Sequence, residues 1–150
     1  VAVFNLYELS QEIAFNIDEW SKIISDASAV IYQFPFYWMS APSLLKKWQD
    51  EVFTFLSKTP AVAGKPLTVV TTTGSEYEAY RSGGRNRFTT DELLRPYQVN
   101  AIHSGMSWQT PIVVYGMGTA DAGKNIAEGA NLYKQRVEML IGNSNAGNNW

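Results

Sequence analysis

Few stretches of this chain bring together residue types that could do chemistry. Gly118-Thr-Ala-Asp-Ala-Gly-Lys-Asn125 has the outline of a phosphate-cradling loop, set between an apolar run and a helix-like segment. Asn125 stands where such a loop needs a hydroxyl to ligate magnesium, so a glycine-rich turn capping the next helix is the preferred reading. Arg81, Arg85 and Arg87 surround Gly83-Gly84. They could grip a phosphate through charge-assisted bonds or lie solvated on a loop. His103 is the single histidine, and a metal site needs several converging ligands, so no metal is expected. Asp50-Glu51 and Asp91-Glu92 are adjacent pairs; neighbours on a helix point to different faces, which suits solvent or capping better than acid–base work. Cysteine is absent, which removes disulfides and thiolate chemistry and accords with a reducing compartment. The chain thus carries no evident strong acid, base or nucleophile.

Those residues need elements to position them. At 150 residues with 45% hydrophobic content, the chain has the size of one compact domain, expected over residues 1–141. A Gly-, Asn- and Ser-rich tail over 142–150 is expected to be flexible. The net charge of −2 offers no basic excess to neutralise phosphates, which argues against nucleic acid as a partner. The longest uncharged apolar stretch, Ala27 to Leu45, is broken by Pro35 and Pro42 and contains Gln33 and three serines, so it does not read as a membrane span. No signal peptide is visible, and a cytoplasmic location is expected.

Val1 to Leu6 reads as a weak strand, and Asp18 as the cap of a helix over Glu19 to Ser25 with Trp20, Ile23 and Ile24 inward. Ala29 to Phe34 is a near-continuous apolar strand of the kind buried in parallel sheets. Pro42 opens a helix bearing Leu44, Leu45, Trp48, Val52 and Phe53. Leu67 to Thr73 is a second strand, ending at Gly74. Thr89 or Thr90 caps a helix with Leu93, Leu94, Tyr97, Ala101 and Ile102 as its buried stripe, kinked or restarted at Pro96. Pro111 to Tyr115 is the last strand, and Ile126 to Ile141 a final helix with Ala130, Leu132, Tyr133, Val137 and Leu140 inward. This alternation predicts an α/β, doubly wound parallel sheet. Ligands in such sheets bind beyond the carboxyl ends of the strands, so function is expected in the loops after Phe34, Thr73 and Tyr115.

Two of those loops carry a family resemblance. Phe34-Pro-Phe-Tyr-Trp-Met-Ser-Ala-Pro-Ser-Leu-Leu-Lys-Lys-Trp-Gln-Asp-Glu-Val52 and Val69-Val-Thr-Thr-Thr-Gly-Ser-Glu-Tyr-Glu-Ala-Tyr80 resemble the signatures of the flavodoxin-like NAD(P)H:quinone oxidoreductases. That family includes DT-diaphorase and the bacterial general-stress and potassium-efflux-associated reductases. Phe88 to Pro96, Ala101 to Met106 and Pro111 to Gly116 extend the resemblance, which runs from about Asn5 to Arg136.

The resemblance implies a flavodoxin-like sheet of order 2-1-3-4-5, with the first strand and its phosphate loop absent before Val1. It also implies that a loop near Phe55 and Leu56 is missing, so the chain is expected to omit segments of a longer polypeptide. Pro35, Phe36, Tyr37, Trp38 and Met39 match the loop that holds the isoalloxazine ring, and Thr72, Thr73, Gly74 and Ser75 the loop lining the same ring. Flat apolar walls and backbone N–H donors are what a buried flavin edge needs. Tyr80 matches a tyrosine that contacts substrate or assists hydride transfer in some members, and Asn86 stands where that subgroup has a histidine. The implied cofactor is FMN, with FAD as the alternative. NAD(P)H is the implied co-substrate and a quinone or similar acceptor the oxidant, in a homodimer whose interface would include Phe36, Trp38 and Tyr77. The arginines of the 81–87 loop could then grip the 2′-phosphate of NADPH or equally lie solvated. Two rival readings are a flavodoxin-type electron carrier, though a charge of −2 is low for one, and a regulatory or binding subunit of the same fold.

Overall fold

The structure, a computed structural model, describes residues 1–9 and 14–145. β1 (Val30–Pro35) and β2 (Pro66–Thr72) pair in parallel, from Val30 opposite Leu67 to Pro35 opposite Thr72. The far edge of β2 is shared by β3 (Ser107–Trp108) and β4 (Ile112–Val114), both parallel to it. Between them Gln109 N still donates to Leu67 O at 2.8 Å, and Thr68 Oγ1 donates to Thr110 O at 3.1 Å. Pro111 has no N–H to continue the ladder. The pair therefore acts as one interrupted strand, and β3 is too short to have been visible in the sequence. As the middle strand, β2 is buried on both faces, with Leu67, Thr68, Val69 and Thr71 at 1% exposure or less. Helices pack against this sheet, in the flavodoxin-like manner expected.

The strand expected over Val1–Leu6 does not form. Residues 1–5 are irregular, and α1 (Leu6–Leu9) follows, with Asn5 Oδ1 accepting from Tyr7 N at 3.1 Å. A strand needs a neighbour for its backbone groups. Here an asparagine side chain satisfies the backbone locally and starts a helical turn instead. Among the described residues no strand pairs with the outer edge of β1.

α2 (Ile17–Asp26) is capped by Asn16, whose Oδ1 accepts from Asp18 N and Glu19 N at 3.1 Å each. Asp18, expected as the cap, instead lies in the first turn, where its charge complements the helix dipole. Lys65 Nζ closes the other end of α2, donating to Ile24 O at 2.6 Å and Ser25 O at 2.7 Å. After Pro42 the chain runs through α3 (Ser43–Trp48), a π-helical segment (Gln49–Phe53) and α4 (Thr54–Leu56), burying Leu45, Trp48, Val52, Phe53 and Leu56. Trp20 and Tyr32 meet Trp48 edge to face at 5.2 and 5.9 Å, and Phe34 lies 5.3 Å from Tyr97. The core is thus an aromatic layer on the β1 face that carries Tyr32 and Phe34.

Thr89 caps α5 (Thr90–Leu93) in a capping box with Glu92, and Pro96 marks the restart as α6 (Arg95–His103). Leu94, Tyr97 and Ala101 are buried, but Ile102 is exposed because one helical step of about 100° turns it off the packed stripe. α7 (Ala122–Asn145) is longer than expected at both ends, and 146–150 of the expected tail lie outside the described residues. Its packed side also differs. Gly129 and Leu140 are buried, Tyr133 and Val137 are half-buried, and Ala130 and Leu132 are exposed. The cause is the close approach of Gly129 to β4, where a Cβ would sit 2.3 Å from Val114 Cγ2.

Two predictions follow from these contacts. Ala in place of Gly129 gains about 1 kcal/mol of helix propensity, but the overlap with a stiff β-branched side chain costs about 1–3 kcal/mol. Gly129→Ala should therefore lower the urea midpoint, and an unchanged or raised midpoint would contradict the packing. Bonds from the Thr89 backbone and hydroxyl hold the Glu92 carboxyl below its ordinary pKa. That stabilisation is present above the unfolded value of about 4.3 and is lost as pH falls through the lower folded value. The stability advantage of wild type over Glu92→Gln should shrink on acidification across that window, as followed by urea unfolding at each pH.

Candidate functional site

Three loops leave the carboxyl ends of β1, β2 and β4 side by side. In the first, Phe36 N donates to Thr72 O at 2.9 Å, carrying the ladder one residue past Pro35. Tyr37 and Ser40 then exchange backbone hydrogen bonds of 2.9 and 3.0 Å around a two-residue turn. Trp38 and Met39 occupy that turn at φ 47° and 62°. Such left-handed backbone costs about 1–2 kcal/mol for each non-glycine residue. Trp38 is 98% exposed, and Tyr37 and Met39 are exposed beside it. Phe36, expected as both ring wall and interface, is buried instead, with its ring 6.1 Å from that of Tyr80. Strand alternation continues through Phe34 and Phe36, so both point into the core while Pro35 points out.

In the second loop Thr73 is fully buried and fully used. Its N–H donates to Val114 O at 2.9 Å and its hydroxyl to Ser75 O at 2.8 Å. Ser75 Oγ accepts from Arg85 Nη2 at 2.5 Å. The third loop is laced to the second, since Gly116 N, Met117 N and Gly118 N donate to Ser75 O, Thr73 O and Gly74 O at 2.8 to 2.9 Å. A Cβ at Gly118 would lie 3.0 Å from Gly74 O, so a side chain there would crowd this approach. What the loops leave over is informative. The N–H groups of Trp38, Met39, Gly74 and Ser75 have no hydrogen-bond partner among the described residues.

Tyr80 ends a 3-10 turn (Tyr77–Tyr80) and is buried between Phe36 and Tyr115, 5.9 Å from the latter ring. Tyr115 shares a 2.6 Å hydroxyl contact with Thr90, and burial raises its phenol above the ordinary value despite that bond. Asn86 N donates to Ala79 O at 3.0 Å, while the side-chain Nδ2 of Asn86 is buried without a partner. A groove of about 790 Å³, lined by Tyr77, Tyr80, Arg81, Tyr115, Leu132 and Met139 among others, runs beside β4 and includes no residue of the first two loops. Pro35–Met39 and Thr72–Ser75 are thus brought together, Tyr80 reaches them through Phe36, and Asn86 is tied instead to the Tyr77–Tyr80 turn through Ala79 O.

Other residues resolve simply. Arg81 pairs with Glu78 at 3.8 Å and lies over the Tyr77 ring, and Arg85 lies 4.0 Å from Glu76. His103 is exposed at the end of α6. Asn125 Nδ2 donates to Tyr115 O at 3.0 Å and Thr119 Oγ1 to Gly116 O at 2.8 Å, so Gly118–Asn125 is the expected helix-leading turn. Among the described residues no three His, Asp or Glu side chains converge as metal ligands, and no helix is long and apolar enough to cross a membrane. Sequence reasoning missed Tyr97, whose hydroxyl accepts from Ala41 N at 3.1 Å and lies 3.3 Å from Ser40 Oγ. Its spacing marked only a core position.

The family model described as flavodoxin-like fold matches residues 1–137, and the chain belongs to that family. General stress protein 14 of Bacillus subtilis (strain 168) is 35% identical over 93% of this chain and 81% of its own length. An uncharacterised NAD(P)H oxidoreductase of the same organism, YdeQ, is 33% identical over 93% of this chain and 73% of its own. Among solved structures, general stress protein 14 of Treponema denticola in complex with FMN superposes with a TM-score of 0.83 at 26% identity, covering 93% of this chain and 81% of that one. An NADPH-quinone reductase from P. pentosaceus gives 0.68 at 30% identity, covering 77% and 72%.

The tightest constraint near the site is Gly84, where a Cβ would lie 2.3 Å from Glu78 O. Gly84→Ala must push the 77–80 turn away, since the clash is with backbone. We expect a loss of about 1–3 kcal/mol in urea unfolding together with an altered near-ultraviolet circular dichroism from the tyrosine cluster. An unperturbed spectrum would refute the contact.

Proposed function

We propose that the chain is a flavin-dependent NAD(P)H oxidoreductase that binds FMN across the first two loops and delivers electrons to a quinone or similar acceptor. The observation that carries this reading is the set of unpartnered N–H groups at Trp38, Met39, Gly74 and Ser75 beside exposed aromatic side chains. A flat ring with carbonyl and imine acceptors along one edge fits such a site: buried donors and acceptors need partners, and an apolar ring gains from flat apolar neighbours.

In this reading the four N–H groups hold the polar edge of the isoalloxazine, and Tyr37, Trp38 and Met39 shield it from water. Pro35 and Thr72 set the spacing of the two loops through the last paired rung of the sheet. The bound flavin supplies hydride chemistry, which is why the protein needs no strong acid or base of its own. Tyr80 buttresses Phe36 beneath the first loop. Asn86, whose amide nitrogen is buried and unpartnered, donates to the flavin edge or the bound acceptor only if binding opens that nitrogen, and it relays no proton. Exposed Trp38 and Tyr77 suit a homodimer interface, where aromatic side chains are enriched.

The test is visible absorbance after incubation with FMN and gel filtration, followed by anaerobic addition of NADPH and, separately, NADH. Retained colour that bleaches with either nucleotide is expected. Asn86→Ala should retain flavin but bleach roughly fivefold more slowly, the size of one lost hydrogen bond. Failure of the wild-type protein to retain FMN would overturn the reading, and retained flavin that neither nucleotide reduces would reduce it to an electron carrier.

A further inference from the structure

We propose that Tyr97 is a positioning residue for the cofactor loop, its hydroxyl holding the Tyr37–Ser40 turn in the form that aims the Trp38 and Met39 N–H groups outward; the flavin part of this inference rests on the reading above. The turn is intrinsically unfavourable. Two-residue hairpin turns with both central φ values positive are normally built from Gly, Asn or Asp, and here a tryptophan and a methionine occupy them at 47° and 62°. Strain of this kind persists only where the surroundings over-determine it.

Two devices hold it. One is the reciprocal backbone pair between Tyr37 and Ser40. The other is Tyr97, more than fifty residues away in sequence, whose hydroxyl accepts from Ala41 N at 3.1 Å and can donate to Ser40 Oγ at 3.3 Å. That one oxygen thus engages the exit of the turn twice, as acceptor from Ala41 N and as hydrogen-bond partner of Ser40 Oγ. Its aim is set by burial. Tyr97 is 5% exposed, with its ring 5.3 Å from Phe34 and 6.4 Å from Tyr32. Phe34 lies on β1, immediately before the loop, so the residue that supports the strand end also fixes the turn that follows. Without the hydroxyl, Ala41 N loses its partner, and the turn can relax toward ordinary backbone that moves the Trp38 and Met39 N–H groups.

Tyr97→Phe keeps the ring and removes the bolt. Relative to wild type, it should weaken FMN binding about fivefold in a flavin fluorescence titration and speed chymotryptic cleavage after Tyr37 and Trp38, read by mass spectrometry without flavin. Tyr32→Phe alters a ring in the same layer whose hydroxyl bonds to nothing in the loop, and should change neither. Ser40→Ala removes the weaker of the two contacts and should shift both readouts in the same direction by less; it decides the matter if Tyr97→Phe does not fold. Unchanged cleavage and unchanged FMN affinity in the folded Tyr97 variant, or equal effects from Tyr32→Phe, would overturn the positioning role. If wild type itself does not bind FMN, the flavin reading fails while the cleavage comparison still decides whether Tyr97 holds the turn.

Discussion

The register of the parallel ladder governs everything at the candidate site. Pairing of β1 with β2 ends at Pro35 and Thr72, and that of β2 with β4 at Thr72 and Val114. The hydrogen-bonded order nevertheless runs on, through Phe36 N to Thr72 O, Thr73 N to Val114 O and Met117 N to Thr73 O. Because the strands are parallel, all three loops emerge at the same end. Because the ladder overruns the strands, they emerge with fixed spacing. A register shift of one residue in β2 would turn Thr73 outward and Gly74 inward, since side chains alternate across a strand.

That ladder depends in turn on the aromatic layer beneath it. Trp20, Tyr32, Trp48, Phe34 and Tyr97 form a chain of edge-to-face and tilted contacts from α2 across β1 to α6. Aromatic pairs of this geometry add about 0.5–1.5 kcal/mol each beyond the area they bury. The layer does two things. It anchors β1, which has a partner strand on one edge only among the described residues, and it delivers the Tyr97 hydroxyl to the exit of the first loop. The other face of β1 is less covered, with Ile31 half-buried and Gln33 exposed. A groove of about 900 Å³ lies there between residues 1–7, the outer edge of β1 and α7.

Glycines set the remaining tolerances. Gly129 brings α7 onto Val114, Gly118 lets the third loop lie against Gly74, and Gly84 lets the 81–87 loop fold back under Glu78. At each, neighbouring backbone or a stiff side chain takes the space a side chain would fill, which brings helix, sheet and loops into close contact around the site.

Much of this was legible in the chain itself. β-Branched and aromatic runs mark β1 and β2 because such side chains pack well on a pleated, buried surface, and the buried threonines of β2 find carbonyl partners for their hydroxyls. Thr89 with Glu92, and Pro42 with Pro96, mark helix boundaries because capping and the missing proline N–H act locally. The long motifs at Phe34–Val52 and Val69–Tyr80 point to the family and the loops. Other features were decided only by tertiary structure. Phe36 reads as an exposed wall but is core, because alternation continues past the last paired residue. Val1–Leu6 reads as a strand but pairs with no other strand among the described residues. α7 packs through Gly129 rather than the Ala130 and Leu132 flank, because the closest approach to Val114 selects the face. Tyr97 reads as one apolar position in a stripe, yet its hydroxyl secures a turn more than fifty residues earlier. Local propensity and periodicity are properties of adjacent residues and so are written in sequence; which partner a buried group meets depends on how separate elements come together, and no spacing along the chain encodes that.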